Sequence, residues 1–134
     1  MDELTLPSAA LGADHGAARR ARREAQRFLE RHGVDSRRED VLLVVSELIT
    51  NSVLHAQAAP ELVLRRVPDP PCVLVEVRDP SPVLPVEREA DIGAKGGRGM
   101  RLVSGLADKW GIELRDAGKT IWAEFSTSNV APTP

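Results

Sequence analysis

From Val41 to Ala56, apolar residues fall on nearly every side of a helical wheel, which predicts a helix packed on more than one face. Three polar residues, Glu47, Asn51 and His55, recur there at intervals of four, so a helix stacks them along one edge. Upstream, Ala9–His32 is rich in Ala, Arg, Glu and Leu and reads as helical from about Ala13. Phe28, Leu29 and small alanines supply its modest inner face, and Gly33 is a helix stop. Ser36 followed by Glu39 is a capping-box pattern, which starts the second helix there.

The period then changes. Glu3–Leu6 can form a short first strand, and Glu61–Val67 and Cys72–Arg78 read as strands joined by the turn Pro68-Asp69-Pro70-Pro71. Pro80–Arg98, with three prolines and three glycines and little periodicity, reads as a long loop of the kind that serves as a lid. Gly99–Asp108 reads as a third helix. Lys109–Arg115 and Lys119–Ser126, joined by Asp116-Ala117-Gly118, form a second hairpin, and the chain ends in a tail over 127–134. No repeated parallel crossover is present in this order. The expected fold is therefore α+β: a two-layer sandwich with a mixed, mostly antiparallel sheet covered on one face by about three helices. A single domain over 4–126 accommodates all of it.

Composition narrows the classes. A formal charge of −2 gives no general attraction to nucleic acid, and no recognition motif for it is present. The arginines crowded into Arg19–Arg38 read mainly as a solvated helix surface. Cys72 is the single cysteine, so no internal disulfide forms; in an apolar strand it reads as an inert buried thiol, and the expectation is a cytoplasmic protein. No apolar run approaches the roughly 20 residues that span a bilayer, so no membrane partner is expected.

The candidate chemistry starts from the polar edge of the apolar helix. A carboxylate there is costly unless a ligand compensates it. Asn51 offers a carbonyl oxygen to a hard cation such as Mg²⁺, and Glu47 suits either proton abstraction from an attacking hydroxyl or water, or holding a metal-bound water. The bland reading of the same edge is exposure to solvent, and for His55 that reading is the stronger one. Asp79 ends an apolar strand, where it serves either as turn chemistry in Asp-Pro-Ser-Pro or as acceptor for a ligand amino group. In Lys95-Gly96-Gly97-Arg98-Gly99-Met100, glycines lead into a helix, and bare N–H groups with the helix dipole favour an anion; a plain flexible linker is the competing reading. Gly118-Lys119-Thr120 opens the last strand and is not a Walker A motif.

These segments, in this order, resemble the ATP-binding domain shared by gyrase, sensor histidine kinases and mismatch-repair ATPases, and most of all the stand-alone serine/threonine kinases that act as anti-sigma factors. The resemblance rests on Ser46-Glu47-Leu48-Ile49-Thr50-Asn51-Ser52-Val53-Leu54-His55-Ala56, on Asp79-Pro80-Ser81-Pro82, on Gly97-Arg98-Gly99-Met100-Arg101-Leu102-Val103 and on Gly118-Lys119-Thr120-Ile121-Trp122-Ala123-Glu124-Phe125. It implies ATP and Mg²⁺ as cofactors, with Glu47 as general base and Asn51 as the metal ligand. Asp79 would accept from the adenine amino group, supported by Thr120, and Gly97, Arg98, Gly99 and Met100 would wrap the phosphates. It further implies phosphorylation of an antagonist (anti-anti-sigma) protein on Ser or Thr, sequestration of a sigma factor, and homodimers. One departure stands out: Pro80, Ser81 and Pro82 replace the glycines that commonly follow the adenine-binding Asp. That departure motivates a second expectation, a regulatory module that binds ATP and partners without transferring phosphate.

Overall fold

Valine- and leucine-rich segments with period two build the sheet. The computed structural model describes residues 2–56, 59–80, 95–115 and 118–127, with the side chains at 55–56 and 95–99 outside that description. The strands are β1 (Glu3–Leu6), β2 (Glu61–Pro68), β3 (Pro71–Asp79), β4 (Lys109–Arg115) and β5 (Gly118–Ser126). They lie in the order β1-β2-β3-β5-β4, and every pairing is antiparallel. The helices are α1 (Ser8–Leu11), α2 (Ala17–Arg31), α3 (Arg38–Ala56) and α4 (Lys95–Leu106). The architecture is the expected α+β sandwich, with a sheet more regular than a mixed one.

Alternation along the strands sorts the residues. Leu62 and Leu64 of β2, Val73, Val75 and Val77 of β3, and Ile121, Ala123 and Phe125 of β5 are buried in one continuous core with the helices. The register places Leu62, Val77, Ile121 and Ile112 side by side, so one apolar layer crosses four strands. The opposite face carries charge: Arg65 bridges Glu3 at 2.8 Å and Glu76 at 3.2 Å, and Arg78 reaches Glu61 at 2.7 Å. There the Trp122 indole lies over Gly111, where a Cβ would sit 2.7 Å from the ring.

The apolar breadth of α3 has its reason in its neighbours. Val41, Val44, Val45, Leu48 and Ile49 are buried among the sheet, α2 and α4. Each such aliphatic side chain contributes about 1.5–3 kcal/mol by leaving water. On α2 the stripe Ala17, Ala21, Ala25 is fully buried, and its small side chains let the helix lie close to the core before Phe28 and Leu29 fill it. Gly33, at φ 66°, ends α2 as expected: the Val34 N–H donates to the Leu29 carbonyl and the Gly33 N–H to Glu30.

Three boundaries differ from the sequence expectation. The first long helix begins at Ala17, after a one-turn helix and a loop held by Arg20, whose guanidinium donates to the Leu11 carbonyl and to Asp14. The second begins at Arg38, because Arg37 takes a left-handed φ of 68° and the Ser36 hydroxyl donates to the Thr127 carbonyl 3.3 Å away. The third begins at Lys95, so the glycines lie inside its first turns and not ahead of it. Of the loop expected over Pro80–Arg98, residues 81–94 lie outside the described residues, as do 128–134 of the tail. Among the described residues, no helix is long and apolar enough to cross a membrane.

Candidate functional site

Chain direction brings the candidate segments to one end of the sandwich. β2 begins at Glu61 opposite Arg78, near the end of β3, and β5 begins where Lys119 pairs with Asp79. The exit of α3 leads into β2, so the C-terminal half of α3 shares that end. α4 runs antiparallel to α3: its last carbonyl, that of Leu106, meets Arg37 at the start of α3. Its first turns, which carry Gly97 and Gly99, therefore point toward the end that holds Asn51 and Asp79.

Asn51 is the sharpest feature there. The residue is only 6 % exposed, and its Oδ1 is buried with no hydrogen-bond partner among the described residues. Such a group costs about 1–3 kcal/mol of folding free energy. The neighbouring Ser52 Oγ is buried in the same condition. Glu47, one helical turn earlier, is half-buried. Among the described residues no cluster of three His, Cys, Asp or Glu could cage a metal. A hard cation would therefore lean on Asn51 together with oxygens of its own ligand and water, which is how Mg²⁺ is commonly held beside phosphates. The donor type and the orphaned acceptor fit that ion.

Asp79 is buried too, and it has company that sequence reading missed. Lys119 Nζ lies 3.2 Å from Asp79 Oδ2, with the two side chains 2 % and 4 % exposed. Both occupy the helix-facing side of their strands: Asp79 continues Val73, Val75, Val77, and Lys119 precedes Ile121, Ala123, Phe125. The signal was therefore present, as a lysine and an aspartate at positions where alternation calls for apolar residues. Gly118 explains how tightly this end closes. A Cβ there would meet the Asp79 carbonyl oxygen at 2.2 Å and Pro80 at 3.0 Å, so only glycine lets the end of β3 rest on β5. An open groove of about 590 Å³ runs beside the pair, lined in part by Ala59, Pro80 and Thr120.

The remaining candidates fall differently. Thr120 is buried next to this pair, but alternation turns it to the opposite face of β5 from Lys119, where its hydroxyl accepts from Arg115 Nε at 3.4 Å. The Met100 side chain packs in the hydrophobic core, and the residue lies past the first turn of α4, where N–H groups are paired within the helix, so the structure does not offer it to a phosphate. The side chains of Arg98 and His55 lie outside the described ones, as do Ser81 and Pro82. Cys72 is half-buried on the outer side of β3 and not in the core as expected; partial desolvation, then Glu124, still pushes its thiol pKa up, away from a reactive thiolate at neutral pH.

Comparison with known proteins agrees with this geometry. The crystal structure of the RsbU and RsbW domains of a Mycobacterium tuberculosis protein superposes with a TM-score of 0.74 at 21 % identity. The match covers 100 % of this chain and 35 % of that one, so the present chain spans about a third of its neighbour's length. No curated protein matches the sequence significantly. A sequence model of the histidine kinase-like ATPase domain matches residues 11–125, which take in Glu47, Asn51, Asp79, the α4 glycines and Lys119. The chain belongs to the family of histidine kinase-like ATPase domains.

Proposed function

We propose that this domain binds Mg·ATP at the open end of the sandwich and phosphorylates a serine or threonine of an antagonist protein, as an anti-sigma-type kinase that also sequesters a sigma factor. The observation that carries the reading is the buried Oδ1 of Asn51, which has no hydrogen-bond partner among the described residues. An acceptor buried in the C-terminal half of α3 without a partner among the described residues costs stability, and a cation would complete its bonding.

When bound, Mg·ATP supplies the transferable phosphoryl group and the metal charge that offsets its oxygens. The residues of the chain divide the rest of the work. Asp79 accepts from the amino group of adenine at the sheet end. Gly97 sits in the first turn of α4, where unpaired N–H groups and the helix dipole favour phosphate, and Gly99 and Arg98 follow it, Arg98 adding charge. The Asn51 Oδ1 is the protein's ligand for Mg²⁺. Glu47, one turn away on the same edge of α3, takes the proton from the attacking hydroxyl. A cytoplasmic location, read from the single cysteine, and homodimer formation, implied by the family resemblance, complete the reading.

Incubation with γ-labelled ATP and antagonist proteins encoded nearby tests the proposal. Label is expected on an antagonist serine or threonine with the wild type. The Glu47→Ala variant should lose transfer by about a hundredfold or more while still binding ATP. ATP binding by the wild type with no transfer to any candidate would move the assignment to a regulatory module that uses ATP as a switch, the reading that Pro80–Pro82 favours.

A further inference from the structure

The ion pair between Asp79 and Lys119 sits where an apolar pair would serve packing as well. On the same face of the same two strands, the next register pair inward is Val77 with Ile121. Taking both charges out of water is strongly unfavourable, and well-packed apolar replacements of such pairs are often neutral or stabilising. Stability alone is therefore a weak reason for Asp79 and Lys119 to be buried together. Their geometry supplies another. Gly118 pins the end of β3 onto β5, the register puts the two residues opposite one another, and the ammonium lies 3.2 Å from Oδ2 of the carboxylate. A point charge at that distance fixes which way the carboxylate faces and compensates its negative charge in a buried setting.

We propose that Lys119 is a positioning residue for base recognition: by orienting the Asp79 carboxylate it confers selectivity for purines bearing a 6-amino group over those bearing a 6-oxo group. The inference rests on the nucleotide reading above. A 6-amino group donates hydrogen bonds and a 6-oxo group accepts them, so a fixed carboxylate rewards the first and repels the second. Loosening the carboxylate removes that discrimination.

Calorimetric titration of the intact chain with Mg·ATP and Mg·ITP, which differ at purine position 6, tests this. The wild type is expected to prefer ATP by roughly tenfold to a hundredfold, the range of a hydrogen bond to a charged group. In Lys119→Met the ATP:ITP ratio should fall to within about threefold of unity, and Lys119→Arg should restore part of it. Circular dichroism establishes that each variant is folded; should Lys119→Met not fold, Lys119→Gln, which keeps a donor and drops the charge, carries the same comparison. Equal weakening of both nucleotides, with the ratio unchanged, would overturn the inference and assign Lys119 a structural role. A wild type that binds both nucleotides equally would also overturn it while leaving the nucleotide site intact. No binding of either nucleotide by the wild type would remove both readings.

Discussion

The two ends of the helix layer are built on opposite principles, although α3 runs through both. At the entry end, Arg37 donates to Asp40 at 3.0 Å, to Asp108 at 2.8 Å, and to the carbonyls of Ser126 and Leu106, with its guanidinium 5.4 Å from the centre of the Phe125 ring. Asp108 in turn accepts from the Ser126 N–H at 2.6 Å. One side chain thus ties the start of α3, the end of α4 and the end of β5, and the orphan Leu106 carbonyl at the α4 terminus finds a donor. At the exit end, Asn51 Oδ1 and Ser52 Oγ are buried without such partners among the described residues. The entry end has one gap of its own, since Arg38 Nε is also buried without a hydrogen-bond partner among the described residues. That guanidinium still reaches Glu30 at 3.6 Å through its other end, whereas Asn51 Oδ1 and Ser52 Oγ are left for bonding to be completed from outside. A site needs both: the closed end fixes the angle between α3 and α4, so that the open end presents its groups in register.

Cutting the closed end should have the largest effect. Arg37→Ala is expected to lower unfolding free energy by about 1.5–3 kcal/mol in denaturant titrations, chiefly because two carbonyls lose their donor, the part-exposed Asp108 and Asp40 adding less. A loss under about 0.5 kcal/mol would mean that the network is a solvated surface feature and the comparison fails. The open end should respond with the opposite sign. Asn51→Leu is expected to raise stability by about 1 kcal/mol, since it removes an orphaned acceptor while keeping the volume, and to abolish ATP binding in calorimetry. Destabilisation together with full ATP affinity would show that Asn51 is satisfied within the chain and has no ligand to meet.

The smallest effect separates the ends by pH. The Ser126 N–H, and then the Arg37 guanidinium, hold the Asp108 carboxyl below the usual carboxylate range. Its folded pKa is therefore lower than its unfolded one, so its stabilisation is complete above the unfolded value near pH 4 and disappears as pH falls through the folded value. With Asp108 half exposed, the contribution is a few tenths of a kcal/mol to about 1 kcal/mol. The stability difference between wild type and Asp108→Asn should be constant from pH 7 to about pH 5 and shrink below about pH 4. A difference that grows toward acid would contradict this arrangement.

The sequence by itself determined the local periods and the chemistry they carry. Val41–Ala56 could only be a helix with many apolar neighbours, the alternation in β2, β3 and β5 could only be half-buried strands, and intervals of four had to align Glu47 with Asn51. These follow from backbone geometry within a few turns. Tertiary structure alone decided what lies far apart in the chain. It chose the strand order β1-β2-β3-β5-β4 and brought Lys119 to Asp79 across forty residues through one antiparallel register. It made Arg37 a rivet to Asp108 where sequence offered only a charged helix start, and it turned Ser36 from an expected cap toward Thr127. The physical reason is that hydrogen bonds and ion pairs do not record their partners in a single residue's type. A lysine amid inward-facing apolar positions announces that it needs a counter-charge, but only the paired strands say which carboxylate supplies it.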